Sequence, residues 1–595
     1  MAKLSKTRLF IIFSFFLLAL LCLWIKLGIL QIFKSSQCTA LWQNQSNFMI
    51  ELQPMRGRIV DAKGHEYALD LRLDSLYANG RIMKNKPAVA DKLSGILGMD
   101  RARILKLLSR DKQFVWIARK LSPVKAEAIA ALKVEGLDFV KESLRVYPKA
   151  AAASQLVGFT DVDSNGLEGI ERYYNSFLKG ARGWKMGLKD AKQRELVSKE
   201  VEMVPPVDGF NVHVTLDEVI QSMADKELAE TCKKYNALGG SIVVMDPKTG
   251  DVLAMATAPT YDLNDARNSK TETRRNRPIT DLFEPGSVFK GITLASILEN
   301  KVFPLTEKFD CERGSWAVAG KVLHDVHGSG VLTFREVIER SSNIGTVKGA
   351  LRLGGQKLYE TIRRFGFGDK TGIGLPGEIS GVVPHPKSWS RSSIINIPIG
   401  QGVAVTPIQL VTAFGAIAND GLVMKPRIVS TIDDSEGRVI QNFEPEETRR
   451  VLSKETALQV RSVLEGAVSR GTGKKAAVPG FKAAGKTGTA QKIVNGHYSH
   501  DKFFASFVGF VPYDEPRLVI CISIDEPHPV IFGGEVAAPA FSRLAGSILA
   551  YWQIARTEIP AEVVKGSTKA LKKKSAVRAL PNTGETPQLA GVARQ

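Results

Sequence analysis

From Leu9 to Ile25 the chain is apolar and uncharged, and after Lys26 the run resumes from Leu27 to Phe33. In hydrocarbon, backbone N–H and C=O groups find no water, so a single segment of this kind has to be helical. A span needs about 20 such residues, and Lys26 can extend its amine to the interface. One transmembrane helix is therefore expected over 9–33. Lys3, Lys6 and Arg8 precede it, which by the positive-inside tendency puts residues 1–8 in the cytoplasm and the rest of the chain outside. A cleaved signal peptide is the competing reading. The run is long for one, no small-x-small site follows it closely, and Leu21 before Cys22 is too bulky for lipoprotein processing.

Length then constrains the exported part. At 595 residues the chain exceeds one ordinary core, so at least two folded domains are expected. A composition of 44% hydrophobic and 24% charged residues, with 52 Gly and 27 Pro, excludes a fibrous or wholly disordered chain. Lys plus Arg outnumber Asp plus Glu by 81 to 61, a formal charge of +20. For an exported protein that excess suits phospholipid headgroups or acidic wall polymers; nucleic acid is not an expected partner. Cys22, Cys38, Cys232, Cys311 and Cys521 are odd in number and far apart. They make no disulfide framework, and burial as small apolar side chains is expected for several.

Residues 34–206 contain no catalytic string. Arg56 to Asp61 reads as a short strand entering a turn, 88–132 shows helical three- and four-residue spacing, and Gly166 to Tyr174 reads as a glycine turn opening a helix. These features predict an elongated, non-catalytic pedestal of short strands and helices. A boundary falls near 207, where Asn211 to Leu216 alternates and Asp217 offers a helix cap. Strands Ser241 to Met245 and Val252 to Ala256 flank the turn Asp246 to Gly250, and strands Phe503 to Val511 and Leu518 to Ile524 flank Pro512 to Pro516. Helical patterns such as Val288 to Glu299 and Glu455 to Arg470 lie between. The expectation is an α+β domain over 207–556, its antiparallel sheet assembled from distant segments and flanked by helices. The basic, polar stretch 557–595 reads as a disordered tail.

Three strings in that domain carry chemistry. Ser287-Val288-Phe289-Lys290 opens an apolar helix after Pro285-Gly286, so Lys290 sits one turn along from Ser287. A serine hydroxyl needs a base before it attacks. A lysine is that base only when neutral, which the apolar helix, or a second cation such as Lys486, can bring about. Alone, the string matches any helix start with a solvated lysine. Ser341-Ser342-Asn343 suits helix capping or, functionally, a proton relay through Ser341, with Asn343 orienting Lys290 and holding a substrate carbonyl. In Lys486-Thr487-Gly488-Thr489, placed on an edge strand, Lys486 and the two threonine hydroxyls can clamp a terminal carboxylate. Gly488 is expected to leave room for substrate lying along the strand. Backbone N–H groups of Ser287 and Thr489 are candidates for an oxyanion hole, where one donor contributes about 3 kcal/mol. Each string is commonplace; their order and contexts together point to serine acyl transfer on a peptide with a free carboxylate.

Glu284 to Lys290, Ser341 to Asn343 and Ala484 to Ala490 resemble the three active-site motifs of class B penicillin-binding proteins. Arg56 to Asp61 and Gly166 to Glu171 are similar to that family's dimerisation-type pedestal. Thr371 to Glu378, Gly400 to Pro407 and Phe504 to Pro512 are most similar to its FtsI-like division type, with the elongation type close behind. The resemblance implies a peptidoglycan D,D-transpeptidase in the cytoplasmic membrane. Its catalytic residues would be Ser287, Lys290, Ser341, Asn343 and Lys486, with Thr487, Gly488 and Thr489 binding substrate. Ser287 would open the bond between the terminal D-alanines of a stem peptide, an amine from a neighbouring stem would resolve the acyl-enzyme, and β-lactams would trap it. The resemblance further implies an FtsW-type glycosyltransferase and other division proteins as partners, and no cofactor or metal. A penicillin hydrolase or carboxypeptidase would share the nucleophile without needing the pedestal. A non-catalytic divisome scaffold would not need the intact Ser287, Lys290 and Lys486. Cys311, His324, Asp325 and His327 match no compact zinc spacing. Leu580 to Gly584 lacks the apolar span that would have to follow a sortase signal.

Overall fold

The computed structural model describes residues 6–39, 47–189, 195–196, 202–494 and 496–556. Its first element is an α-helix, Lys6–Gly28, prolonged by a π-helical turn, Ile29–Phe33, with no residue buried. This segment is long and apolar enough to cross a membrane. The basic stretch 557–595, with Leu580 to Gly584, lies outside the described residues.

The pedestal is organised by one long strand, Glu66–Ala78, which pairs antiparallel with Leu137–Val146 on one side and Val115–Leu121 on the other. Tyr67 and Ala68 enter a core shared with the downstream domain, whereas Leu76 and Ala78 join a separate core with Val89, Leu93, Ile104 and Leu108. One strand thus serves two cores, and the module is elongated for that reason. The helical stretch expected over 88–132 is interrupted. Helices Lys86–Leu97 and Arg101–Leu108 are followed by the strand Val115–Leu121 before helix Pro123–Ala130. In the strand, Val115, Ile117 and Leu121 point inward, and pairing with a neighbouring strand outweighs a local spacing that cannot tell the two states apart.

The Arg56 and Glu171 segments meet in a buried ion cluster. Arg56 Nε lies 2.6 Å from Glu171 Oε2, Arg145 Nε lies 2.6 Å from Glu171 Oε1, and Arg145 Nη1 lies 3.1 Å from Asp70 Oδ1. Beside it, Ile59–Val60 pairs in parallel with Asn211–Val214, which pairs in turn with Val429–Asp433. One sheet therefore runs from the pedestal into the domain that follows.

That domain is built on strands β1 Gly239–Met245, β2 Val252–Ala258, β3 Ala484–Val494, β4 His497–Val511 and β5 Leu518–Asp525, antiparallel in the order β2-β1-β5-β4-β3. The helices that matter for the site are α1 Glu218–Lys234, α2 Lys290–Glu299, α3 Asn343–Leu353, α4 Pro407–Ala418 and α5 Gly533–Tyr551. Alternation along the strands separates two layers. Ile242, Val244, Ile520 and Ile522 pack with α1 and α5 through Leu228 and Phe541, while Val243, Met245, Val519 and Cys521 pack with α4 through Leu410 and Phe414. The result is α+β, with a sheet drawn from both ends of the domain and β3 at its edge.

Candidate active site

Ser287 lies in a 3-10 turn, Gly286–Phe289, that feeds directly into α2, whose first residue is Lys290. Gly286 has φ +53°, in the left-handed region, and a Cβ on it would stand 3.0 Å from the Thr489 carbonyl oxygen. Glycine therefore lets the nucleophile's turn lie against β3. Gly488 serves the same contact from the strand side. A Cβ there would come within 2.4 Å of Ser506 Oγ and 2.8 Å of both Pro285 O and Val288 Cγ2. The space beside Gly488 is filled by the protein's own turn, so close packing, rather than the expected clearance for substrate, accounts for this glycine.

Lys290 and Lys486 are both 0% exposed. The Lys290 amine donates to Ser341 O at 2.6 Å and to Asn343 Oδ1 at 2.7 Å, and lies 3.1 Å from Ser341 Oγ. The Lys486 amine reaches that same hydroxyl at 3.0 Å. Ser341 is held at φ +63°, a strained conformation for a residue with a side chain, and this places its oxygen between the two amines. Burial and the neighbouring charge of Lys486 push the Lys290 amine well below its ordinary value, and burial pushes Lys486 down to about 7. Carbonyl and amide oxygens only accept, so Ser341 O and Asn343 Oδ1 occupy both N–H groups of a neutral Lys290. Its lone pair is then left for a hydroxyl proton. Ser287 is half-buried, and among the described residues its hydroxyl has no hydrogen-bond partner. The anticipated Lys290–Ser287 contact is replaced in this resting geometry by the bonds to Ser341 and Asn343; catalytic hydrogen bonds commonly tighten only around substrate.

Asp325 supports the second motif from behind. Its Oδ1 accepts from Asn343 N at 2.5 Å and Ile344 N at 3.0 Å, and its Oδ2 accepts from Ser342 Oγ at 2.6 Å. Asn343 Nδ2 donates to the His324 carbonyl at 2.7 Å, and Cys311 Sγ lies 3.4 Å from Ser342 Oγ. Among the described residues, the group spaced like metal ligands is a different one, Asp61, His65 and Glu218. There the Asp61 carboxylate already accepts from the backbone of Lys63, His65 and Glu218.

Along β3, Thr487 Oγ1 and Thr472 Oγ1 are 3.0 Å apart, and Gly533 N donates to Thr489 Oγ1 at 3.0 Å. The Thr489 hydroxyl thus keeps its own proton to donate. Thr472 carries no sequence signal, and Asp325 draws notice only as a rejected metal ligand, because both act through contacts between distant segments.

Two family descriptions match this chain: "Penicillin binding protein transpeptidase domain" over residues 240–546 and "Penicillin-binding Protein dimerisation domain" over residues 51–214. The chain belongs to the class B penicillin-binding proteins. It is 33% identical to stage V sporulation protein D of Bacillus subtilis, over 96% of this chain and 88% of that protein. It is 31% identical to the peptidoglycan D,D-transpeptidase FtsI of Escherichia coli, over 84% of each. Penicillin binding protein 3 from Mycobacterium tuberculosis, solved with aztreonam, is 30% identical and similar in structure at a TM-score of 0.68, over 86% of this chain and 98% of that one. In this class B penicillin-binding protein the dimerisation-domain match ends at residue 214, inside the sheet that the two modules share.

Proposed function

We propose that this penicillin-binding protein is a peptidoglycan D,D-transpeptidase of the division type. Residues 9–33 anchor it in the cytoplasmic membrane with 1–8 inside, 34–206 form the pedestal, and 207–556 the catalytic domain on the outer side. The observation behind this reading is a single hydroxyl, Ser341 Oγ, held 3.1 Å and 3.0 Å from two buried amines beside the nucleophile's turn.

Neutral Lys290 takes the Ser287 proton, directly or through Ser341, as Ser287 Oγ attacks the carbonyl between the terminal D-alanines. The negative charge that develops on the carbonyl oxygen is met by the N–H groups of Ser287 and Thr489. Lys486, Thr487 and Thr489 hold the terminal carboxylate, whose arrival favours the protonated form of Lys486. Asn343 orients Lys290, and Ser341 returns the proton to the departing D-alanine amine. The ester on Ser287 is then aminolysed by a neighbouring stem. The division-type resemblance supports an FtsW-type glycosyltransferase and other division proteins as partners.

Mass spectrometry of penicillin-treated protein should find one slowly released penicilloyl group on the peptide containing Ser287, and none in Ser287→Ala. Rapid, repeated hydrolysis of the drug, or labelling that survives the substitution, would overturn the assignment.

A further inference from the structure

Glu284 begins the turn that carries Ser287 and is 9% exposed. Its Oε1 accepts from Gly402 N at 2.8 Å and from the Tyr498 hydroxyl at 3.0 Å, while its Oε2 is buried without a partner. Among the described residues no cation pairs with it. A buried carboxylate so placed is costly, and the fold keeps it where three segments converge. Gly286 N donates to Gly400 O at 3.1 Å, so the 400–402 loop is joined to the nucleophile's turn on both sides of Pro285. The third segment is the outer half of the β3–β4 hairpin, where Tyr498 stands opposite Ile493. Pairing between β4 and β5 begins only at Phe504, so among the described residues no third strand supports this outer half. Lys492 secures the hairpin to Asp525 and Glu526, at 2.7 Å each. Among the described residues, Tyr498–Glu284 is the side-chain hydrogen bond that ties the outer hairpin to the nucleophile's turn.

We propose that Glu284 is a positioning residue which, with Tyr498, latches the β3–β4 hairpin beside Ser287 and so preforms the edge that receives the acyl donor. This rests on the transpeptidase reading. A donor with its carboxylate at Lys486 and Thr487 and its scissile carbonyl at Ser287 and Thr489 continues along β3 toward Gln491 and Ile493, under the outer hairpin. The latch then governs donor binding and leaves the bond-making step alone.

Stopped-flow acylation of the full chain by a fluorescent penicillin separates the dissociation constant from the limiting acylation rate. Tyr498→Phe and Glu284→Ala should each raise the dissociation constant about 5–10-fold, the net worth of one ordinary hydrogen bond, with the limiting rate within about twofold. Glu284→Gln, whose amide oxygen still accepts both bonds, should restore binding. The Tyr498→Phe/Glu284→Ala double variant should be no worse than the poorer single one. Deuterium uptake across 491–502 should rise in Tyr498→Phe and not in Glu284→Gln. A fall in limiting rate at unchanged affinity, multiplicative effects in the double variant, or unchanged deuterium uptake would overturn the latch. Absence of acylation in the unsubstituted protein would instead overturn the transpeptidase reading, and deuterium uptake would still decide the latch.

Discussion

In the pedestal, Arg56 and Arg145 share Glu171, and Arg145 also meets Asp70, all four at most 8% exposed. At the active site Lys290 and Lys486 are buried as deeply, and among the described residues neither amine forms a salt bridge with a carboxylate. The pedestal cluster brings opposite charges together and holds two distant segments in register. The active-site pair brings like groups together, and the penalty falls on their protonation: both amines are pushed toward neutrality. Neutral lysine is a base, and a lysine that titrates near neutrality responds to a bound carboxylate. Here the paired buried charges serve architecture, and the two unpaired amines are available for chemistry.

Substitutions can break that contrast. Lys290→Met should lower penicillin acylation about 10³-fold, the usual contribution of a general base, while the melting temperature stays level or rises because a buried amine is replaced by an apolar chain. A melting point lower by many degrees would place Lys290 in the architecture instead. Glu171→Gln should do the reverse. It strips the shared carboxylate from two buried guanidinium groups and should cost about 3–5 kcal/mol of stability in denaturant melts, with the acylation rate of the folded fraction unchanged. If the loss proved negligible, the pedestal cluster would not be the fastener described above.

The smallest effect is on pH dependence, and it sharpens the comparison. In the proposed mechanism Lys290 works deprotonated and Lys486 protonated, so the second-order acylation constant should trace a bell whose falling limb lies near the Lys486 value of about 7. A profile still rising at high pH would remove Lys486 from the role of cation. The same group links to stability. Its folded value lies below its ordinary value of 10.5, so between about 7 and 10.5 the unfolded chain binds the extra proton and stability climbs with pH, by up to about 1.4 kcal/mol per pH unit. Lys486→Met should flatten that slope in melts recorded across the window.

Much of this was readable along the chain. The anchor, the paired strands near Met245 and Val511, the apolar helix after Ser287 and the short polar string at Ser341 are written in neighbouring residues, where period, charge and turn chemistry act over a few positions. The strand Val115–Leu121 was not, since its partner lies forty residues upstream in Glu66–Ala78. Asp325 reads along the chain only as a metal ligand to be set aside, and its role appears when α3 places its backbone N–H groups against it. Gly488 reads as clearance for substrate, whereas what crowds it is Pro285 and Val288 from a segment about two hundred positions away.

Residue order alone settled that the chain carries a span able to cross a membrane and that a serine, two lysines and a glycine- and threonine-containing strand exist, because those properties depend on composition and short-range spacing. Folding settled that both amines converge on Ser341, that Glu284 meets Tyr498 and that the lysines are stripped of water. Those depend on which distant surfaces exclude solvent together, and no local pattern records that.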